Sequence, residues 1–241
     1  MSSGIAYTLK VSRRSKHARL KMVPHEGLVV VVPEGYDRKQ IPVLLHRYAA
    51  WIERAASRLE RPQPDGKPAL PNGLPCLVGF RSTGEEWQVE YDPSRRRSAE
   101  RNGAGGSSIL LPVDGSERDA ARDLLLLWLR KRAAAILVPM LEEQSEAFGL
   151  RYASAGVRLQ KSRWGSCSTR GRITLNTKLL FLPPELARYI MTHELCHTAE
   201  MNHSDSFWRL VERHDPLFRQ HDRAMRDGWK YVPGWVTGHY L

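Results

Sequence analysis

Residues 191–203 read Met-Thr-His-Glu-Leu-Cys-His-Thr-Ala-Glu-Met-Asn-His: two histidines four apart, a glutamate after the first, and a third histidine six positions on. No other stretch of the chain restricts its backbone so tightly. Two histidines at i and i+4 on a helix stand roughly 5–6 Å apart on one face, a span that one zinc ion bridges at about 2.0–2.1 Å per nitrogen. Glu194 is turned about 100° from His193, so it reaches solvent at such an ion without displacing an imidazole, the place of a general base rather than a ligand. Continued helix would carry His203 about 240° round from His197, so the helix has to end first. Asn202, which tolerates left-handed backbone, is the expected stop. Ser204 or Asp205 then caps a second helix, with Phe207, Leu210, Val211 and His214 at i, i+3, i+4 and i+7. Cys196 is read as a small buried helix residue rather than a fourth ligand, because the two histidines define another face.

The rest of the chain predicts an α+β fold. Pro184 starts the motif helix, with Leu186, Ile190, His193 and His197 on its inner face. Before it come a strand at 156–160, a loop at 161–168 and a second strand at 172–176. A long apolar helix runs from a Ser116 cap to about Phe148, kinked at Pro139 and ended by Gly149. Strand patterns fall at 75–80, 87–91 and 108–111, and the basic, glycine-containing run 94–106 reads as a mobile loop. At the start, strands at 7–11, 18–23 and 28–32 form a hairpin or small sheet. Ile41, Leu44, Leu45, Tyr48 and Ile52 predict a helix from about Asp37 to Leu59, and the proline-rich run 62–68 reads as a linker. The division expected is a basic β-hairpin and helix module at 1–61, a variable β and loop segment at 62–116, and a metal-dependent hydrolase domain at 117–241.

Composition narrows the class. With 41% hydrophobic and 26% charged residues the 241-residue chain is globular rather than disordered. Neither a secretory nor a membrane-spanning run is visible, which predicts a cytoplasmic protein. Three cysteines, Cys76, Cys167 and Cys196, cannot all pair and lack Cys-x-x-Cys spacing, so reduced thiols are expected. The formal charge of +11 is concentrated in residues 1–61 and 117–241. It favours either an acidic or phosphate-rich partner, through Arg13, Arg14, Lys16, Arg19 and Lys21, or a merely solubilising surface.

Six runs, Arg163-Trp-Gly-Ser-Cys-Ser168, Ile173-Thr-Leu-Asn176, Leu182-Pro-Pro-Glu-Leu-Ala187, His193-Glu-Leu-Cys-His197, Asn202-His-Ser204 and Phe207-Trp208, together resemble the YgjP-like family of bacterial zinc metallopeptidases. The basic run 13–22, Pro33 and Trp51-Ile52 are similar to that family's N-terminal hairpin and helix, while 62–116 carries little of the likeness. The resemblance implies a minimal zincin-like core, related to SprT-like proteases, with the N-terminal module packed against or near it. It also implies that the strand at 172–176 lies along the cleft and pairs with an extended peptide. The spacing from His197 to His203 equals that of metzincins, but Glu200 holds their glycine position and no methionine turn follows. Gluzincins take a glutamate from the following helix, which makes Glu212 the substitute ligand should His203 not serve.

The expected site is therefore a Zn2+ ion on His193, His197 and His203, with Glu194 as the catalytic base and Arg163, Trp164 and Asn176 as substrate-binding candidates. Arg163, Tyr189 and His214 are candidates for steadying the oxyanion. Hydrolysis of a protein or peptide is the leading expectation: the metal acidifies water, Glu194 takes the proton and returns it to the leaving amine. Two rivals share the metal site. One is a metal-dependent nucleotide hydrolase cutting a phosphoanhydride bond, such as a nucleoside triphosphate pyrophosphatase. The other is a nucleic-acid-associated SprT-like protease or binding protein, docking nucleic acid or nucleotide through the basic N-terminal module.

Overall fold

A computed structural model describes residues 6–12, 15, 17–23, 27–50, 52–53, 69–103 and 106–237. The chain divides into two units, residues 1–64 with a few C-terminal residues and residues 65–236 with Tyr240.

In the first unit, strands β1 (Tyr7–Ser12), β2 (Arg19–Val23) and β3 (Gly27–Pro33) form a sheet of order β1-β3-β2. The expected hairpin is β2 with β3, and β1 adds on the far side of β3 in parallel. β3 is the central strand, and consecutive residues Leu28, Val29 and Val30 are all buried, so both of its faces are covered along that stretch. Its core is closed by Ile41 and Leu45 of helix α1 (Ile41–Arg47) and by Ile52. The helix expected from about Asp37 is entered through a 3-10 turn whose Asp37 carboxylate accepts from the Lys39 N–H, is interrupted by a turn at Tyr48, and is helical again at 49, 50, 52 and 53. Residues 54–59, the 62–68 linker, Arg13, Arg14 and Lys16 lie outside the described residues.

The second unit is built on one long helix, α2 (Arg118–Phe148). Leu125, Leu129, Ala133, Leu137 and Leu141 recur every fourth residue and are fully buried. They form the stripe that an amphipathic helix turns to its core, and truncating one of these leucines to alanine costs roughly 2–5 kcal/mol. Gly149, at φ 67°, closes the helix as expected. One expectation fails at the start: the N-cap is Glu117 rather than Ser116, with no side chain bonding the first turn. Pro139 sits inside the helix, at the position where a kink was expected.

Against α2 lies a four-stranded sheet of β4 (Leu77–Phe80), β5 (Glu85–Tyr91), β6 (Ala99–Gly103) and β7 (Gly106–Leu111), in the order β4-β5-β7-β6. Trp87 of β5 packs edge-on to Trp128 of α2 at 5.5 Å, and Phe80 stacks on the same indole at 5.8 Å. The run expected as a mobile loop contains β6, paired antiparallel with β7 from Ala99↔Leu110 to Gly103↔Gly106. β6 is an edge strand whose exposed residues include Arg101, a polar pattern that composition alone does not separate from a loop.

The small sheet that positions the motif helix comprises β8 (Ser154–Arg158), β9 (Gly165–Cys167) and β10 (Arg172–Asn176), in the order β8-β10-β9. β10 runs parallel to β8 and antiparallel to β9, so both of its edges are taken. The strand expected to receive a peptide is therefore central, and β9, within the stretch read as a loop, is the edge on that side. Ile173 and Leu175 point into the core while Arg172 and Thr174 face out. From β10 a 3-10 turn (Thr177–Phe181), buried throughout, leads into α3 (Pro184–Cys196), the motif helix. Then follow α4 (Asp205–His214), α5 (Phe218–Met225) and α6 (Gly234–Thr237). Arg122 of α2 donates to the carbonyls of Trp235 and Val236, tying the last turn to the long helix. Among the described residues no helix is long and apolar enough to cross a membrane.

Candidate active site

Helix α3 begins at Pro184, whose missing N–H costs nothing at a helix start. It ends at Cys196, well before the Asn202 expected to stop it, with His197 already in the capping position. The turn beyond is closed by Glu200 N–H donating to the Cys196 carbonyl at 2.9 Å, and it aims the Glu200 carbonyl at His197. His197 Nδ1 lies 3.0 Å from that oxygen. Donation there fixes the tautomer and leaves the Nε2 lone pair free, the usual arrangement behind a metal-binding imidazole. Ser204 then caps α4 through the Phe207 N–H, as expected, and swings His203 back toward the helix it follows.

The three imidazoles converge. His193 Nε2 is 3.2 Å from His197 Nε2 and 3.0 Å from His203 Nε2. Ligands about 2.0–2.1 Å from a tetrahedral zinc stand about 3.3 Å apart, close to both of these spacings from His193. Among the described residues this trio is the one group of three metal-ligating side chains whose donor atoms gather within 4.8 Å. Cys196 is buried in the core, and Glu212 is exposed on α4; neither joins the group. An aromatic floor holds the rings: Phe207 stacks on His197 at 4.4 Å, and Trp208 stacks on His203 at 5.6 Å. Burial, then the neighbouring His197 and His203, pull the His193 pKa down to about 3, and burial also lowers that of His197. Both rings therefore stay neutral, the form that offers a lone pair.

Glu194 lies beside this cluster and is only 6% exposed. Burial pushes its pKa up to about 7; the Arg163 guanidinium and the Cys167 N–H, which bonds the carboxylate, pull the other way. Strand β9 touches Glu194 directly. A methyl group on Gly165 would come within 2.6 Å of Glu194 Oε1 and 2.7 Å of its Cγ, so only glycine lets the strand lie this close. A carboxyl group poised between its two protonation states beside three convergent lone pairs suits proton transfer to and from water.

The other expected residues are distributed around β9. Arg163 is exposed and electrostatically coupled to Glu194. Trp164 is half-buried and stacked on Trp229 at 4.3 Å. Asn176 is fully buried: its amide donates to the carbonyls of Gln160 and Arg163, and its Oδ1 accepts from Lys178 N–H. Lys178, 4% exposed, donates to the same Gln160 carbonyl and lies over the Trp229 ring. Tyr189 donates its hydroxyl to Asp222, and His214 stacks on Phe148 at 4.1 Å. Three contributors escaped the sequence: the Glu200 carbonyl, the Cys167 N–H and the bare Cα of Gly165. Two are backbone groups without a residue signature; the third had a signal, a glycine following a tryptophan in the run 163–168.

A family model described as YgjP-like, metallopeptidase domain, matches residues 16–227. Among solved structures, the chain is similar to the metallopeptidase zymogen of Pyrococcus abyssi abylysin, with 32% identity, covering 38% of this chain and 93% of that one, at a TM-score of 0.35. No curated protein matches the chain.

Proposed function

The chain belongs to the YgjP-like family of metallopeptidase domains, and on that premise we propose that it is a zinc-dependent peptidase with His193, His197 and His203 as ligands and Glu194 as general base. One observation carries the reading: three imidazole nitrogens gathered within 4.8 Å of one another beside a buried carboxylate. Bound there, zinc supplies Lewis acidity, polarising a carbonyl and acidifying water near neutral pH. Glu194 accepts the proton of the attacking water, and a pKa near 7 lets it return that proton to the departing amine.

The substrate chain lies along the free edge of β9, adding a strand through main-chain hydrogen bonds. The support is the position of β9, with one edge on β10 and Gly165 against the base. Arg163, exposed and favouring ionised Glu194, stands two residues before that strand and is assigned to substrate. Trp164 lines the same segment. Asn176 serves as a positioning residue, since its amide holds the loop that delivers Arg163 and β9.

The test is Glu194→Gln, with peptide hydrolysis and bound zinc measured on the same preparation. Zinc content unchanged with turnover reduced by at least about a hundredfold is expected. Wild-type turnover in that variant removes Glu194 from the chemistry.

A further inference from the structure

The outer face of the small sheet forms a groove of about 480 Å³ with α2 along one wall. Arg130 and Lys131 line it from the helix, Arg158 and Arg172 from the strands, and all four are exposed. Gly156, with nothing within 4 Å of where a Cβ would sit, leaves the floor open, and Leu127 adds an apolar patch, 53% exposed, beside it. Among the described residues no carboxylate lines the groove and none pairs with any of these four cations. Four cations without counter-charges around one concavity repel one another, and an anionic occupant relieves that repulsion.

We propose that this groove recruits acidic segments of the polypeptides that the site cleaves, a proposal resting on the peptidase reading. Register supplies the connection. Thr174 on the groove floor is the direct partner of Ser166 on β9, whose other edge is the one assigned to substrate, while Gly165, the partner of Leu175, turns the opposite face of the sheet to Glu194. A chain on that edge lies three inter-strand steps of about 4.8 Å from β8, and passing round the edge to the outer face adds the thickness of the sheet, so roughly six to eight extended residues span the path. A substrate chain on β9 therefore reaches the groove with a segment roughly six to eight residues from the scissile bond. Arg158 and Arg172 sit at opposite ends of β8 and β10, about 13 Å apart along the strands, so a run of carboxylates meets both rather than one. A single-stranded nucleic acid fits less well, because no aromatic side chain lines the groove to stack a base.

The experiment uses the full chain. Fluorescence anisotropy compares a labelled peptide carrying a glutamate run with its glutamine counterpart, in a Glu194→Gln background that keeps the peptide intact. Kinetics on otherwise wild-type protein compare acidic-flanked and neutral-flanked substrates. The acidic peptide is expected to bind about tenfold tighter at low salt, the preference fading as salt rises. Both Arg158→Glu/Arg172→Glu and Arg130→Glu/Lys131→Glu remove it, and the glutamine versions reduce it in part. For the acidic-flanked substrate these variants raise KM about tenfold with kcat unchanged, while the neutral-flanked substrate is cleaved as by wild type. Equal binding of the two peptides, or an acidic preference that survives charge reversal, overturns the proposal. So does a mixed-sequence oligonucleotide that alone depends on the four cations. Failure of wild type to cleave either substrate condemns the peptidase reading instead, and the anisotropy comparison still decides for or against the groove.

Discussion

Substituting alanine at Gly165 tests how closely the site is built around Glu194. The new Cβ would meet Glu194 Oε1 at 2.6 Å, Cγ at 2.7 Å and Cδ at 2.9 Å. Comfortable carbon contacts begin at about 3.5 Å, so something must retreat by about 1 Å. The strand resists, since β9 is pinned to β10 at Ile173↔Cys167, Thr174↔Ser166 and Leu175↔Gly165. The helix backbone resists as well, because Leu195 and Cys196 beside Glu194 are fully buried. The carboxylate is the group that moves, and it loses its bond from the Cys167 N–H as it does. Overpacking of this kind costs about 1–3 kcal/mol, read as a melt lowered by roughly 2–4 °C for each kcal/mol. A catalytic group displaced by about 1 Å costs on the order of a hundredfold in kcat. Zinc content should hold, because none of the three histidines is touched. Adding Glu194→Asp to Gly165→Ala shortens the side chain and should return stability without returning turnover. A Gly165→Ala enzyme with wild-type kcat and an unchanged melt would refute the packing argument.

Arg163 bears on the pH profile. Its cation favours ionised Glu194, so Arg163→Gln raises the carboxyl pKa and should shift the acid limb of kcat/KM to higher pH; an unmoved or lowered limb contradicts the coupling. Lys178 bears on stability. Burial first, then Arg122 and Lys161, bring its pKa down to about 8 from 10.5. Between those values the unfolded chain binds a proton that the folded chain does not, so stability rises with pH, by up to about 1.4 kcal/mol per unit. Melts between pH 8 and 10 should rise in wild type relative to Lys178→Met, and parallel curves would show that Lys178 titrates normally.

Much of the histidine cluster was legible because helical periodicity converts spacing into direction: His193 and His197 at i and i+4 have to share a face, and Ser204 announces the next helix. The stop at Asn202 was misplaced because the sequence signal for helix termination, an αL-tolerant residue, is not what ends α3. Its end is set by the turn that offers the Glu200 carbonyl to His197, a backbone contact with no residue signature. The three-residue strand β9 escaped notice for a related reason. Gly165-Ser-Cys167 has neither the length nor the β-branched residues of a strand, and only pairing with β10 makes it one. Asn176, read toward substrate, is fully buried and bonded to the loop at 160–163, partners that its residue type does not announce. The groove of four cations was invisible as such, because Arg130 and Lys131 on α2 meet Arg158 and Arg172 only through the tertiary fold.

The most direct test of the central claim is X-ray absorption at the zinc edge on the purified chain, with metal content determined in parallel. One zinc per chain is expected, bound by three imidazole nitrogens at about 2.0–2.1 Å with a lighter oxygen donor completing the shell, and with one imidazole lost in His203→Ala. A chain that holds no metal, or a His203→Ala spectrum identical to wild type, would contradict it.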